Sequence, residues 1–302
     1  MQTGVQEVPP SKQVLRLMEG CKGSPLVFGE LPTDFEEQMA HNPDVALGEL
    51  LRLSQICRDL HYHGYGTWRF LDYVYGIVEA KLGGVDAKLS GSLSGQALRD
   101  RLEFVSRLAA NWLRDRLVTD TVRVIDFGAG PAPYAIEAIK QLPPDLRPRL
   151  LWNCLDLDGE AMRIGEERAR EEGFKRYIHL HEADFLASKS YPTDDRELAD
   201  FGLMIGILCG MTPEQSVRCL QKVKPYFKPK GELVAATLLQ RAFDEDQDTF
   251  RVLCGYLGWQ LRPKTEEKVM DIFQNAGWEI IQILSERPGG KGQYAVVHAR
   301  IA

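Results

Sequence analysis

No apolar run in this 302-residue chain reaches the roughly 18 residues that a membrane-crossing helix requires. Its first ten residues, MQTGVQEVPP, have neither the basic start nor the apolar stretch of a secretory signal. No two of the six cysteines (Cys21, Cys57, Cys154, Cys209, Cys219 and Cys254) have C-x-x-C spacing, and none falls in a Cys/His cluster of the zinc type. Basic charge is short as well. There are 37 Lys and Arg against 43 Asp and Glu, and the net charge of −6 repels nucleic acid and anionic lipid. No internal repeat is found. Together these absences lead us to expect a cytoplasmic protein with reduced, buried thiols, no metal, and neither a membrane nor a nucleic acid as partner.

What is present is enough for a sizeable core. Hydrophobic residues make up 44% of a chain long enough for one large domain or two modest ones. Residues 34–118 carry helical patterns and little strand signal. Asp34 is placed to cap a short helix. Pro43-Asp44 opens another, with Val45, Leu47, Leu50, Leu51 and Leu53 on one face. Thr67 is placed to cap a helix bearing Phe70, Leu71, Val74 and Val78, ended by Gly83-Gly84. Ser90–Gly95 (SGSLSG) reads as a flexible loop. Over 96–118, Leu98, Leu102, Val105, Leu108, Ala109, Trp112 and Leu113 recur at helical spacing.

After Thr119-Asp120 short apolar strands alternate with amphipathic helices. Strands are expected at Val122–Asp126, Leu150–Asp156, Tyr177–Ala183, Phe201–Leu208, Glu232–Thr237, Trp278–Leu284 and Gln293–Ala299. Helices are expected at Ala132–Gln141, Gly159–Glu172, Pro213–Phe227 and Lys264–Ala276. Such alternation predicts a parallel sheet covered on both faces. Only SERPGGKG separates the last two strands. That is too short for a parallel crossover, so the final strand should run antiparallel to its predecessor.

The sharpest feature is VRVIDFGAGPAPYAIEAI, residues 122–139. A strand runs into Asp126, then Gly128-Ala129-Gly130, then a helix whose N-terminus offers free N–H groups to an anion. A dinucleotide fingerprint would place glycine at position 133, where this chain has proline. Asp126 beside the loop suits a ligand whose anion neighbours a cation, as in an amino acid. Asp156 ends the second strand beside the loop, where a carboxylate accepts ribose hydroxyls, while Asp158 is placed as a helix cap. Asp184-Phe185 ends the third strand, an acid for an amino group and a ring for a flat base. Gly206-Ile207 ends the fourth strand, at the sheet edge where α/β folds bind ligands.

These features in this order resemble the class I S-adenosylmethionine-dependent methyltransferases, from about residue 119 to the C-terminus. The carriers are D-F-G-A-G (Asp126–Gly130), Asp156, Asp184-Phe185, the strand Phe201–Leu208, and F-x-x-A-G-W (Phe273–Trp278) followed by two strands. The stretches LRPKTEEKVMDIFQNAGW and GQYAVVHA are loosely similar to a group of methyltransferase-like proteins of unassigned substrate. The resemblance implies a Rossmann-like α/β sheet of order 3-2-1-4-5-7-6 with strand 7 antiparallel, spanning 119–302. Residues 1–118 would form a helical cap or dimerisation region. It also implies S-adenosylmethionine as cofactor and S-adenosylhomocysteine as product. Asp126, Phe127, Gly128, Ala129 and Gly130 would surround the methionine part, Asp156 and Leu157 the ribose, and Asp184 and Phe185 the adenine, with Gly206 and Ile207 alongside.

A substrate would meet the aromatic stretch His61–Trp68 and the segment Tyr256–Arg262. His61, His63 and Tyr65 are the candidate catalytic groups, because a hydroxyl or amine acceptor must lose a proton. Trp68, Met211, Tyr256, Trp259 and Arg262 are the candidate substrate contacts. We expect methyl transfer to a small molecule, with a homodimer as one use for an aromatic cap. A macromolecular acceptor, a nicotinamide-dependent oxidoreductase and an inactive scaffold on the same fold remain as alternatives.

Overall fold

A computed structural model of the protein describes residues 30–64, 68–77, 84–187 and 198–302. Thr67, Val78 and Gly83, expected at the ends of one helix, lie outside the described residues, as do Tyr65 and Cys21. Helix α1 (Phe35–His41) is followed by α2 (Pro43–Leu53), whose first position is Pro43. There a missing N–H costs nothing. Helix α2 buries Ala46, Leu50, Leu51 and Leu53, but Val45 is 55% exposed. At helical spacing Val45 shares the side of Glu49 and Arg52, which faces water. Ser54 ends α2 and caps α3 (Gln55–His63), its hydroxyl accepting the Cys57 N–H at 2.9 Å.

Helix α4 (Trp68–Tyr75) is followed by Gly76, whose φ of +72° disfavours a side chain, so the helix ends before Gly83-Gly84. Gly84 instead opens α5 (Gly84–Gly91). The expected flexible loop at Ser90–Gly95 is mostly helical. It narrows to Ser92, which caps α6 (Leu93–Leu117) by accepting the Gly95 N–H at 3.0 Å. A Cβ on Gly95 would lie 2.3 Å from the Ser90 carbonyl oxygen, so the small residues here allow a tight turn between helices. From far along the chain, Asp246 accepts the Ser94 N–H at 2.8 Å and caps the same helix.

The remainder builds a seven-stranded sheet. In chain order come β1 (Val122–Phe127), α7 (Pro133–Lys140), β2 (Leu150–Asp156), α8 (Gly159–Glu171), β3 (Ile178–Glu182) and β4 (Ala199–Ile205). Then follow α9 (Pro213–Val223), β5 (Phe227–Leu238), α10 (Gln240–Glu245), α11 (Gln247–Phe250), a π-helical turn at Arg251–Tyr256, α12 (Glu266–Asn275), β6 (Trp278–Ser285) and β7 (Tyr294–Ile301). The strand order is β3-β2-β1-β4-β5-β7-β6, and β7 runs antiparallel to both β5 and β6. This is the arrangement expected from the sequence. Strand β4 ends earlier than expected because Gly206 turns the chain at φ +86°. Helix α9 also ends early, passing into a 3-10 turn that contains Pro225.

Successive residues of β1 alternate between two cores. Val122 and Val124 face α6 and α7, while Ile125 and Phe127 face α9 and α12. Burial on both faces is why these strands read as apolar runs. Helix α6 belongs to the first of these cores. Its Trp112 stacks on Phe201 of β4 at 4.4 Å, and its Leu113 is wholly buried. Truncating Leu113 would cost roughly 2–5 kcal/mol. A third core joins α1–α5 and the start of α6 to Leu238, Phe250, Leu253 and Leu257. The roof over the carboxyl edge of the sheet is therefore built from both ends of the chain. Among the described residues no helix is long and apolar enough to cross a membrane.

Candidate active site

Between roof and sheet lies a cavity of about 640 Å³, within the roughly 300–1,000 Å³ typical of small-molecule sites. Gly128, Ala129 and Gly130 from the β1 loop, Asp156 and Leu157 after β2, Phe185 after β3, and Gly206 and Ile207 after β4 line its floor. His63, Trp68, Tyr75 and Arg101 line the roof, joined by Phe250, Leu253 and Trp259 from the β5–β6 connection. Four strand ends and two chain segments far apart in sequence thus meet around one hollow.

The loop after β1 is bent three times. Gly128, Gly130 and Ala132 have φ of +66°, +52° and +58°. A Cβ on Gly128 would stand 2.3 Å from Cδ1 of Ile207, and one on Gly130 would stand 3.3 Å from Cβ of Trp68. Glycine here keeps the floor open and lets the roof come down close. The loop's own N–H donors are occupied by the protein itself. Gly128 and Ala129 N–H both donate to the Leu155 carbonyl, Gly130 N–H to Asp156 Oδ2 at 2.8 Å, and Ala132 N–H to the Ala129 carbonyl. Pro131 and Pro133 have no N–H. The loop contributes space rather than hydrogen bonds.

Asp156 is half-buried and accepts two backbone N–H groups, from Gly130 and, through Oδ1, from Asp158 at 3.0 Å. Each carboxylate oxygen keeps a lone pair for a ligand hydroxyl. Leu157 beside it lines the cavity and is 68% exposed. Asp158 caps α8 by accepting the Glu160 and Ala161 N–H groups, and its other oxygen accepts Trp68 Nε1–H at 2.9 Å. One turn further along α4, Asp72 accepts both arms of Arg168 of α8, at 3.0 and 2.5 Å. The roof helix α4 is thus fastened to α8 in two places, at its start, where Arg69 also pairs with Glu160, and again at Asp72.

Asp126 is 1% exposed and lies behind the cavity wall, two residues before the loop. Its Oδ2 is buried with no partner among the described residues. Burial, and secondarily the charge of Asp156, push its carboxyl well above the usual range. Phe127 also sits behind the wall, against Phe185 at 5.2 Å. Asp184 does not line the cavity, and its Oδ1 accepts the Leu186 N–H at 2.9 Å in a turn.

The roof departs from expectation at several residues. His61 and His63 lie two apart on a helix and so point to different sides. Only His63 lines the cavity. His61 turns inward, its Nε2 buried without a described partner, and burial holds its pKa below the ordinary value. The two cannot act as a pair, and Tyr65 lies outside the described residues. Trp68 and Trp259 line the cavity, but Met211, Tyr256 and Arg262 do not. Tyr256 packs edge-on against Phe35 at 5.3 Å, and Arg262 is exposed. The Met211 carbonyl accepts a hydrogen bond from the buried Lys264 ammonium. Among the described residues no group of three or more His, Cys, Asp or Glu is placed to hold a metal.

Sequence reasoning missed the buried cation that lines the cavity. Arg101 is 3% exposed, and its Nε and Nη2 donate to the hydroxyls of Tyr134 and Tyr75 at 3.0 and 3.1 Å. Its guanidinium lies over the Tyr294 ring, 4.5 Å from the centroid. A signal was available, since position 101 falls on the apolar stripe of α6 between Leu98 and Val105.

No family model matches the chain, and no curated protein matches it either. Solved structures do. A possible exported protein from Bordetella parapertussis matches at TM-score 0.65 with 16% identity, over 95% of this chain and 94% of that one. The magnesium protoporphyrin IX methyltransferase of Synechocystis, with S-adenosylhomocysteine bound, matches at TM-score 0.55 with 11% identity, over 82% of this chain and 98% of that one. Mitomycin 7-O-methyltransferase matches at TM-score 0.52 with 18% identity, over 86% and 72%. At such identities the likeness is one of fold. The chain has the fold of the class I S-adenosylmethionine-dependent methyltransferases.

Proposed function

We propose that the protein binds S-adenosylmethionine in this cavity, transfers its methyl group to a small molecule, and releases S-adenosylhomocysteine. The observation that carries this reading is the meeting of the β1 glycine loop, Asp156, Phe185 and Gly206-Ile207 around one roofed hollow. The residues suit the cofactor on this structure's own terms. Asp126 Oδ2 is an orphaned buried acceptor, and at Gly128 a side chain would fill the space. Asp126 would draw the cofactor's ammonium, Asp156 would hold the ribose hydroxyls, and Leu157, Phe185 and Ile207 would enclose the base. The cofactor would supply a methyl group already activated by its sulfonium.

The protein's remaining work is to place the acceptor atom in line and to keep water away. Trp68, Phe250, Leu253 and Trp259 make most of that wall apolar, and Phe70 braces Trp259 edge-on at 5.9 Å. His63 at the cavity rim is the candidate to take a proton from a hydroxyl or amine acceptor. In this reading the region before residue 119, with the β5–β6 connection, is the cap, and 119–302 is the cofactor domain. The enclosure favours a compact acceptor over a macromolecule.

Calorimetry with S-adenosylhomocysteine and with NADH tests the reading. Binding of the first alone is expected. Binding of NADH alone, or of neither, refutes it.

A further inference from the structure

The cavity is charged unevenly. Its carboxylates, Asp72, Asp156 and Asp158, stand on the α4, β2 and α8 side, and each is engaged by the protein's own donors. Arg101 stands on the β4 and β7 side, close enough to Gly206 that a Cβ there would lie 3.9 Å from Nη1. No carboxylate among the described residues pairs with Arg101, although a guanidinium stays charged when buried. An unpaired buried cation is costly, so one that faces a cavity calls for an anion from outside.

The tyrosines sharpen the demand. The Tyr75 and Tyr134 hydroxyls are 3.0 Å apart, and each accepts one Arg101 donor. Only one of the two can donate to the other, which leaves one phenolic proton over. Burial above all raises the pKa of Tyr134 and of Tyr294, so neither becomes the missing anion near neutral pH. What remains for a ligand is both N–H groups of Arg101 Nη1 and one of Nη2, a pair of donor nitrogens, together with one O–H. A planar oxyanion accepts such a pair.

We propose that Arg101, with Tyr75 and Tyr134, forms a carboxylate-binding subsite at the β4–β7 end of the cavity. The inference rests on the methyltransferase reading. Two acids can supply the carboxylate: the amino-acid tail of the cofactor, which finds no spare donor in the loop from Gly128 to Pro133, or an acid group on the acceptor.

The test is titration calorimetry on wild type and Arg101→Met, with Tyr75→Phe as a second variant should the first not fold. The probes are S-adenosylmethionine, its decarboxylated analogue, and benzoate against benzamide, the last two with and without S-adenosylhomocysteine. If the cofactor's tail is the occupant, Arg101→Met weakens S-adenosylmethionine by about 10- to 150-fold, the worth of a charged hydrogen bond. The decarboxylated analogue then binds both proteins alike. If the acceptor supplies the acid, both adenosyl ligands bind alike and only benzoate is lost. Tyr75→Phe repeats whichever pattern holds, at about 3- to 10-fold. A folded variant that binds all four probes as wild type does overturns the subsite. So does equal loss of S-adenosylmethionine and its decarboxylated analogue. Wild type that binds no adenosyl ligand refutes the methyltransferase reading instead, and the benzoate arm then decides on Arg101 alone.

Discussion

Replacing Asp126 with asparagine should move stability and affinity in opposite directions. The side chain is 1% exposed and one of its oxygens has no described partner. Asn has almost the same shape, so packing is kept and the loss is the charge. An acid whose folded pKa lies above its unfolded value of about 3.9 binds more protons when folded. Its unfavourable contribution therefore grows as pH rises from that value towards the folded pKa. Removing it should stabilise the unliganded protein most near neutral pH and least near pH 4. The gain expected is about 1–2 kcal/mol, roughly 2–6 °C in Tm at pH 7.5. Affinity for S-adenosylhomocysteine should fall instead. A charge-assisted hydrogen bond to the ligand's ammonium is worth about 1.5–3 kcal/mol, or about 10- to 150-fold in Kd. Thermal melts without ligand and calorimetry with it read the two effects separately. A lower Tm with unchanged Kd would make Asp126 a structural residue and refute the reasoning.

Three further substitutions probe other parts of the structure. Asp156→Asn should weaken S-adenosylhomocysteine by about 10-fold or more. It should cost about 1 kcal/mol of stability too, because one of the N–H groups held by Asp156 then meets an amide nitrogen; an unchanged Kd removes the residue from the ribose site. Arg168→Ala strands the buried Asp72 carboxylate and should cost about 3–5 kcal/mol in chemical denaturation, far more than a surface ion pair. Although burial pushes Glu232 up, hydrogen bonds from His298 and Trp112, at 2.5 and 2.7 Å, and the charges of His298 and Arg116 hold its carboxyl below the ordinary range. That stability is present above an unfolded value of about 4.3 and disappears as pH falls through the folded pKa. The Tm values of wild type and Glu232→Gln should therefore converge in acid and separate above about pH 5, and a constant gap would disprove the link.

The sheet was legible because its physics is local. Strands buried on both faces show as apolar runs at Val122–Phe127 and Leu150–Asp156, and the eight residues of SERPGGKG dictate a reversal of direction. The floor of the cavity follows from the strand ends. The roof was less legible, because its meaning depends on partners far along the chain. Arg101 becomes a cavity residue only through Tyr75, Tyr134 and Tyr294, from three separate elements. Ser90–Gly95 has the composition of a linker, yet Asp246 and the Ser92 hydroxyl hold it as a helix start. His61 and His63 look paired in a written sequence, and only the helical pitch separates them.

The double fastening of α4 to α8 bears on how the cavity opens. Helix α8 starts three residues beyond Asp156, and through Trp68–Asp158 and Asp72–Arg168 it also carries the wall above that acid. A molecule gripping Asp156 therefore tugs on its own ceiling. Loss of either tie should loosen the ceiling and weaken the grip on a ligand at Asp156 together.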